Sequence, residues 1–99
     1  MRPAVFISDL TDHNLRLAAQ SGATDLVAPC PGFSVHAVQE LVSRAAAHRL
    51  NLSVIERFVP HHKIVHHLPG WEREVEDIKQ LIAAMGQAGV EVLCYNWMP

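Results

Sequence analysis

A lone carboxylate, a knot of imidazoles and a run of hydrogen-bonding aromatics are the groups in this sequence best suited to chemistry. Glu56 follows directly on the apolar run Leu52-Ser53-Val54-Ile55 and is itself followed by Arg57. A carboxylate there either points into a binding mouth or is held in an ion pair with its neighbour. Tyr95 and Asn96 supply a hydroxyl and an amide, which suit a polyhydroxylated ligand, and Trp97 offers an apolar wall beside them. The plainer account of Tyr95 and Trp97 is packing at a rim. Four of the seven histidines, His61, His62, His66 and His67, lie within seven residues. His62 and His66 have the i, i+4 spacing that chelates a metal on a helix. Pro60 and Pro69 bracket the group, however, so any helix is short, and no Cys, Asp or Glu lies inside it to complete a structural zinc set. A solvated loop with one histidine reaching the mouth is the simpler expectation.

The elements that must position these groups follow a repeating order. Residues 4–8 form a β-rich run after Pro3. Asp9 and Thr11 offer N-caps to a helix over residues 12–21, and Gly22 stands where a helix-ending glycine should. Asp25-Leu26-Val27-Ala28 is a second short strand, closed by Pro29-Cys30-Pro31-Gly32. Ser34 caps a helix whose apolar residues Val35, Val38, Leu41, Val42, Ala45 and Ala46 recur at helical spacing. Asn51 is expected to take the left-handed exit from that helix before a third strand at residues 52–55. A connection over residues 58–70 carries the histidines. Trp71 then opens the third helix, with the stripe Trp71, Val75, Ile78, Leu81, Ile82 and Met85. Gly89 ends it, and residues 90–95 form strand four.

Helices interleaved with short, almost wholly apolar strands imply parallel pairing with both faces covered. The fold class is therefore α/β. A small doubly wound sheet and a partial (β/α)8 TIM barrel both fit βαβαβαβ with parallel strands, four strands and three helices. A barrel of ~250 residues spends about 31 on each unit, so the 99 residues make three units and one strand. No Gly-x-Gly-x-x-Gly or Walker-type loop follows any strand, which removes the mark of a nucleotide-binding open sheet. The expectation is a single incomplete barrel segment over residues 1–99, with Pro99 a cut across a longer enzyme. In such a barrel function sits at the strand C-termini. These are Ser8 and Asp9; Pro29, Cys30 and Phe33; Glu56, Arg57, His61 and His62; and Tyr95, Asn96 and Trp97.

Composition narrows the function classes. Apolar residues make up 49% and charged residues 18%, an ordinary globular balance. A net charge of −2 offers no basic stripe for nucleic acid. No apolar run approaches the ~20 residues of a membrane helix, and the start of the chain is no signal peptide, so a cytoplasmic location is expected. Cys30 and Cys94 are too few for a disulfide scaffold. Strand three would separate them by roughly 9–10 Å, beyond disulfide reach.

Two motifs resemble a known family. Ile55-Glu56 with Val59-Pro60-His61-His62, and Cys94-Tyr95-Asn96-Trp97-Met98-Pro99, look like the third and fourth strand ends of mannonate dehydratases, sugar-acid lyases of the xylose-isomerase-like TIM-barrel group. The resemblance is strong over residues 50–99 and a general barrel pattern before that. It implies dehydration of D-mannonate to 2-keto-3-deoxy-D-gluconate with a divalent metal such as Mn²⁺, Mg²⁺ or Fe²⁺, whose ligands lie on later strands outside this stretch. Glu56, His62, Tyr95 and Asn96 would then be substrate-side groups for a sugar acid, and none of them a metal ligand. The first two strand ends, Ser8-Asp9 and Ala28-Pro29-Cys30-Pro31-Gly32, depart from the family pattern. They keep open a sugar or sugar-phosphate isomerase or epimerase on the same barrel. A third reading is a non-catalytic half-barrel that forms a homo-oligomer through its sheet edges.

Overall fold

In a computed structural model, residues 1–97 are described. They run β1 (Ala4–Phe6), α1 (Asp12–Gln20), β2 (Asp25–Ala28), α2 (Val35–Ala47), β3 (Asn51–Glu56), α3 (His62–Val65), α4 (Trp71–Ala88) and β4 (Val92–Cys94). Met98 and Pro99, the end of the C-terminal motif, lie outside the described residues. The four strands are parallel and in sequence order, β1-β2-β3-β4. That order is what successive right-handed βα crossovers produce as a barrel wall is laid down. The three long helices stand where their periodicity predicts, and α3 is an added turn inside the histidine connection.

Local chemistry accounts for most of the boundaries. The Thr11 hydroxyl accepts from the Asn14 amide at 3.1 Å and caps α1. Asp9 contributes its backbone carbonyl instead, which accepts from the Thr11 amide and the Asn14 side chain. Ser34 caps α2 through the Ala37 amide at 3.1 Å. Gly89 ends α4 in the left-handed region, φ 82°, a conformation that costs an L-residue about 1–2 kcal/mol.

At the end of α2 the structure corrects the expectation for Asn51. Arg49 takes the left-handed conformation, φ 60°, and Asn51 begins β3, donating its amide to the Thr24 carbonyl at 2.9 Å. The turn closes two residues early because Leu50 must return to the core, where it is buried. The α3 turn needs outside help, since His61 offers it no side-chain cap. The Glu74 carboxylate of α4 accepts from the Lys63 and Ile64 amides at 3.0 and 3.2 Å.

The core lies between the helices and one face of the sheet. Its fully buried large side chains are Leu15, Leu26, Val38, Ile55 and Leu81. Ile82, expected in the inward stripe of α4, is 55% exposed. It sits one residue past Leu81 on the helical wheel and faces a groove with Met85 and Leu93 beside β4. The other face of the sheet carries the cross-strand row Phe6, Val27, Val54 and Val92. None of the four belongs to the core or packs against it. In a barrel that row faces the interior.

Asp25 is buried at the opposite end of the strands from the mouth. The Thr24 hydroxyl donates to it at 2.7 Å and the Asn51 amide at 3.3 Å, with the exposed Arg2 guanidinium at 3.3 Å. The Thr24 bond, chiefly, holds its carboxyl below the ordinary 3.8, against the opposing effect of burial; Asn51, Arg2 and Ser53 add to the lowering. The folded chain therefore binds this proton less tightly than the unfolded one. The stability contributed is whole above the unfolded value and drains as pH falls through the depressed folded value. Thermal unfolding followed from pH 6 down to pH 2 should show an acid-side decline that Asp25→Asn makes shallower. An identical acid profile in the variant would remove Asp25 from this role.

Candidate functional site

The position of Glu56 depends on an irregularity in β3. Pairing with β2 runs Leu26↔Leu52 and then Val27↔Val54, so Ser53 is an extra residue in the ladder. Its hydroxyl donates to the Leu26 carbonyl at 3.5 Å. Without the bulge, Leu52, Val54 and Glu56 would share one face, and that face would be the core. With it, Leu52 and Ile55 both reach the core, and Glu56 turns to the open face above Val54. Bulges often re-aim a side chain beside a functional site.

On the open face Glu56 meets β4. Its register partner is Cys94. Glu56, Val92, Leu93, Cys94, Tyr95, Asn96 and Trp97 line a depression of about 690 Å³ at the C-terminal mouth of β3 and β4. The Tyr95 and Trp97 rings stand edge to face, 5.7 Å between centroids. Tyr95 is 67% exposed, so its hydroxyl is open to a ligand. Glu56 is half-buried and makes neither a hydrogen bond nor an ion pair among the described residues. The alternative of a Glu56–Arg57 pair is not what forms. The Arg57 guanidinium instead lies over the rings of Phe6 and Phe58, 5.7 and 5.9 Å from their centroids.

Three of the four expected substrate-side residues, Glu56, Tyr95 and Asn96, are thus brought together. His62 is not among the lining residues. It begins α3, exposed, with its ring 4.7 Å from that of His66. The Nδ1 of His61 lies 2.9 Å from the Val59 carbonyl oxygen, and His67 stacks on Trp71. Among the described residues no three or more His, Cys, Asp or Glu side chains converge on a possible metal position. These residues do not fit a metal site of their own. Cys30 and Cys94 are both free thiols. Burial pushes the Cys30 thiol up, opposed by its bond to the Gly32 carbonyl, which leaves a poor nucleophile. No helix among the described residues is long and apolar enough to cross a membrane.

A carboxylate, a phenol and an amide thus stand around an aromatic wall at the strand mouth. The sequence model of the D-mannonate dehydratase (UxuA) family matches residues 14–99. The chain belongs to the mannonate dehydratase family. The mannonate dehydratase of Endomicrobium trichonymphae is 34% identical over 67 residues, which are 68% of this chain and 18% of that protein. Mannonate dehydratase 1 of Halalkalibacterium halodurans is 37% identical over 62 residues, 63% of this chain and 17% of that protein. The crystal structure of mannonate dehydratase from Streptococcus suis serotype 2 superposes with a TM-score of 0.81 at 26% identity. The match covers 100% of this chain and 31% of that one. The chain therefore spans less than a third of the mannonate dehydratases it matches. The first strand and its turn, residues 1–13, lie outside the family match but inside the structural one.

Sequence reasoning named Arg57 among the strand-end residues and as a possible partner of Glu56. What it missed is the aromatic setting of that guanidinium. Phe6 lies on β1 and Phe58 beyond β3, and no spacing rule joins them.

Proposed function

We propose that this chain is the N-terminal part of a sugar-acid hydro-lyase that removes water from D-mannonate to give 2-keto-3-deoxy-D-gluconate. The observation that carries the reading is the depression shared by Glu56, Tyr95 and Asn96 at the strand mouth, built on residues inside the family match. Glu56 accepts hydrogen bonds from substrate hydroxyls, Tyr95 and Asn96 donate to and accept from them, and Trp97 shields the carbon chain from water. A divalent metal, Mn²⁺, Mg²⁺ or Fe²⁺, belongs to the proposal, with all its ligands outside these residues. It would supply the Lewis acidity that loosens the departing hydroxyl. A cytoplasmic location is proposed with the function.

Incubating the full-length protein that carries this chain with D-mannonate and Mn²⁺ tests the reading, with product followed by NMR. Appearance of the 2-keto-3-deoxy acid is expected. The isolated 99-residue chain should give none, because its described residues assemble no metal position. Turnover of a ketose panel without turnover of D-mannonate would replace the lyase by an isomerase or epimerase.

A further inference from the structure

We propose that Arg57 is the group that takes the carboxylate of the substrate and so sets which end of a sugar acid enters the mouth first. The proposal rests on the sugar-acid reading above.

The backbone places the residue at some cost. Arg57 and Phe58, immediately after Glu56, both adopt left-handed conformations, φ 73° and 58°. For bulky residues this is a strained conformation, and such strain persists only where the surroundings hold it. Here the Arg57 carbonyl accepts from the Cys30 amide at 3.2 Å, tying the segment to the end of β2. The double turn carries the side chain back over the sheet. The guanidinium comes to lie over Phe6, in the open-face row, and over Phe58, which is 71% exposed. The two rings lie against the group and use none of its N–H donors. No hydrogen bond or ion pair uses those donors among the described residues.

Charge then decides the ligand. Among the described residues that directly follow the four strands, Arg57 is the one permanent cation, and Glu56 beside it is an unpaired carboxylate. A polyol with no charge gains no ion pair from Arg57. An aldonate does, through a planar, bidentate, charge-assisted contact. Repulsion from Glu56 keeps the ligand's carboxylate away from the β3–β4 depression. Its hydroxyls are therefore directed toward Glu56, Tyr95 and Asn96. The two adjacent side chains sort the two ends of the substrate.

The test is calorimetric titration of the full-length protein and its variants with D-mannonate, D-gluconate and the neutral D-mannono-1,4-lactone. Arg57→Ala should weaken both aldonates about 10- to 100-fold, the range for a lost hydrogen bond to a charged group, and leave the lactone within twofold. Arg57→Lys, which keeps the charge without the planar fork, should recover part of the loss. Glu56→Ala should weaken acid and lactone alike. Arg57→Gln takes the place of Arg57→Ala should the latter not fold. Equal aldonate affinity in wild type and Arg57→Ala, or parallel loss of acid and lactone, would overturn the assignment and leave the lyase reading intact. Arg57-dependent binding of aldonates by a protein that never dehydrates D-mannonate would do the reverse. No aldonate binding by the wild type would end both.

Discussion

Glu56→Ala in the full-length protein is expected to lower kcat/KM for D-mannonate about 10- to 100-fold, with no change in thermal stability. The size follows from a hydrogen bond to a charged acceptor, about 1.5–3 kcal/mol, at roughly tenfold per 1.4 kcal/mol. The silence in stability follows from the geometry. Glu56 is half-buried on the open face and holds no hydrogen bond or ion pair among the described residues, so its removal orphans no protein group. Glu56→Gln keeps one acceptor and the shape, and should lose less. The pairing of the two readouts is what makes the variant informative. A drop in melting temperature equal to that of a core variant would mean that Glu56 supports the fold. Activity within twofold of wild type would remove it from the site.

The largest expected effect on stability is at Leu26. Its side chain is 0% exposed, on a strand paired on both sides. Truncation to Ala there removes buried methylenes and leaves a cavity, for a cost of about 2–5 kcal/mol. Against a domain stability of order 5–15 kcal/mol that is a large fraction. Ile82→Ala is the matched control: an apolar residue of the same size that is 55% exposed should cost about 1 kcal/mol or less. Urea unfolding distinguishes the two. Similar losses at Leu26 and Ile82 would mean that the groove beside β4 is covered in the folded protein and that Ile82 belongs to the core.

The parts of the fold legible in the sequence were those governed by local chemistry. The bounds of β2, the Ser34 cap and the Gly89 stop each depend on one residue type doing the one thing it does well. Strand ends were less legible. β1 stops at Phe6 and β4 at Cys94, short of Ser8 and Tyr95, because the length of a parallel strand is set by the partner it pairs with. The Asn51 expectation failed for a related reason. Asn tolerates the left-handed region, but the pull of Leu50 into the core gave that conformation to Arg49.

Of the site, the sequence by itself determined the chemistry: a carboxylate after strand three, a phenol and an amide after strand four, and motifs specific enough to indicate the family. Only the tertiary structure decided where that chemistry points. Strict alternation from the buried Leu52 would have sent Glu56 into the core, and the extra residue Ser53 sends it to the mouth instead. A bulge depends on how two strands register, and register is a property of the pair. The same holds for Arg57, whose guanidinium is placed by rings from two distant points of the chain. Side-chain identity is written along one chain, but the face it reaches is set by the strands around it.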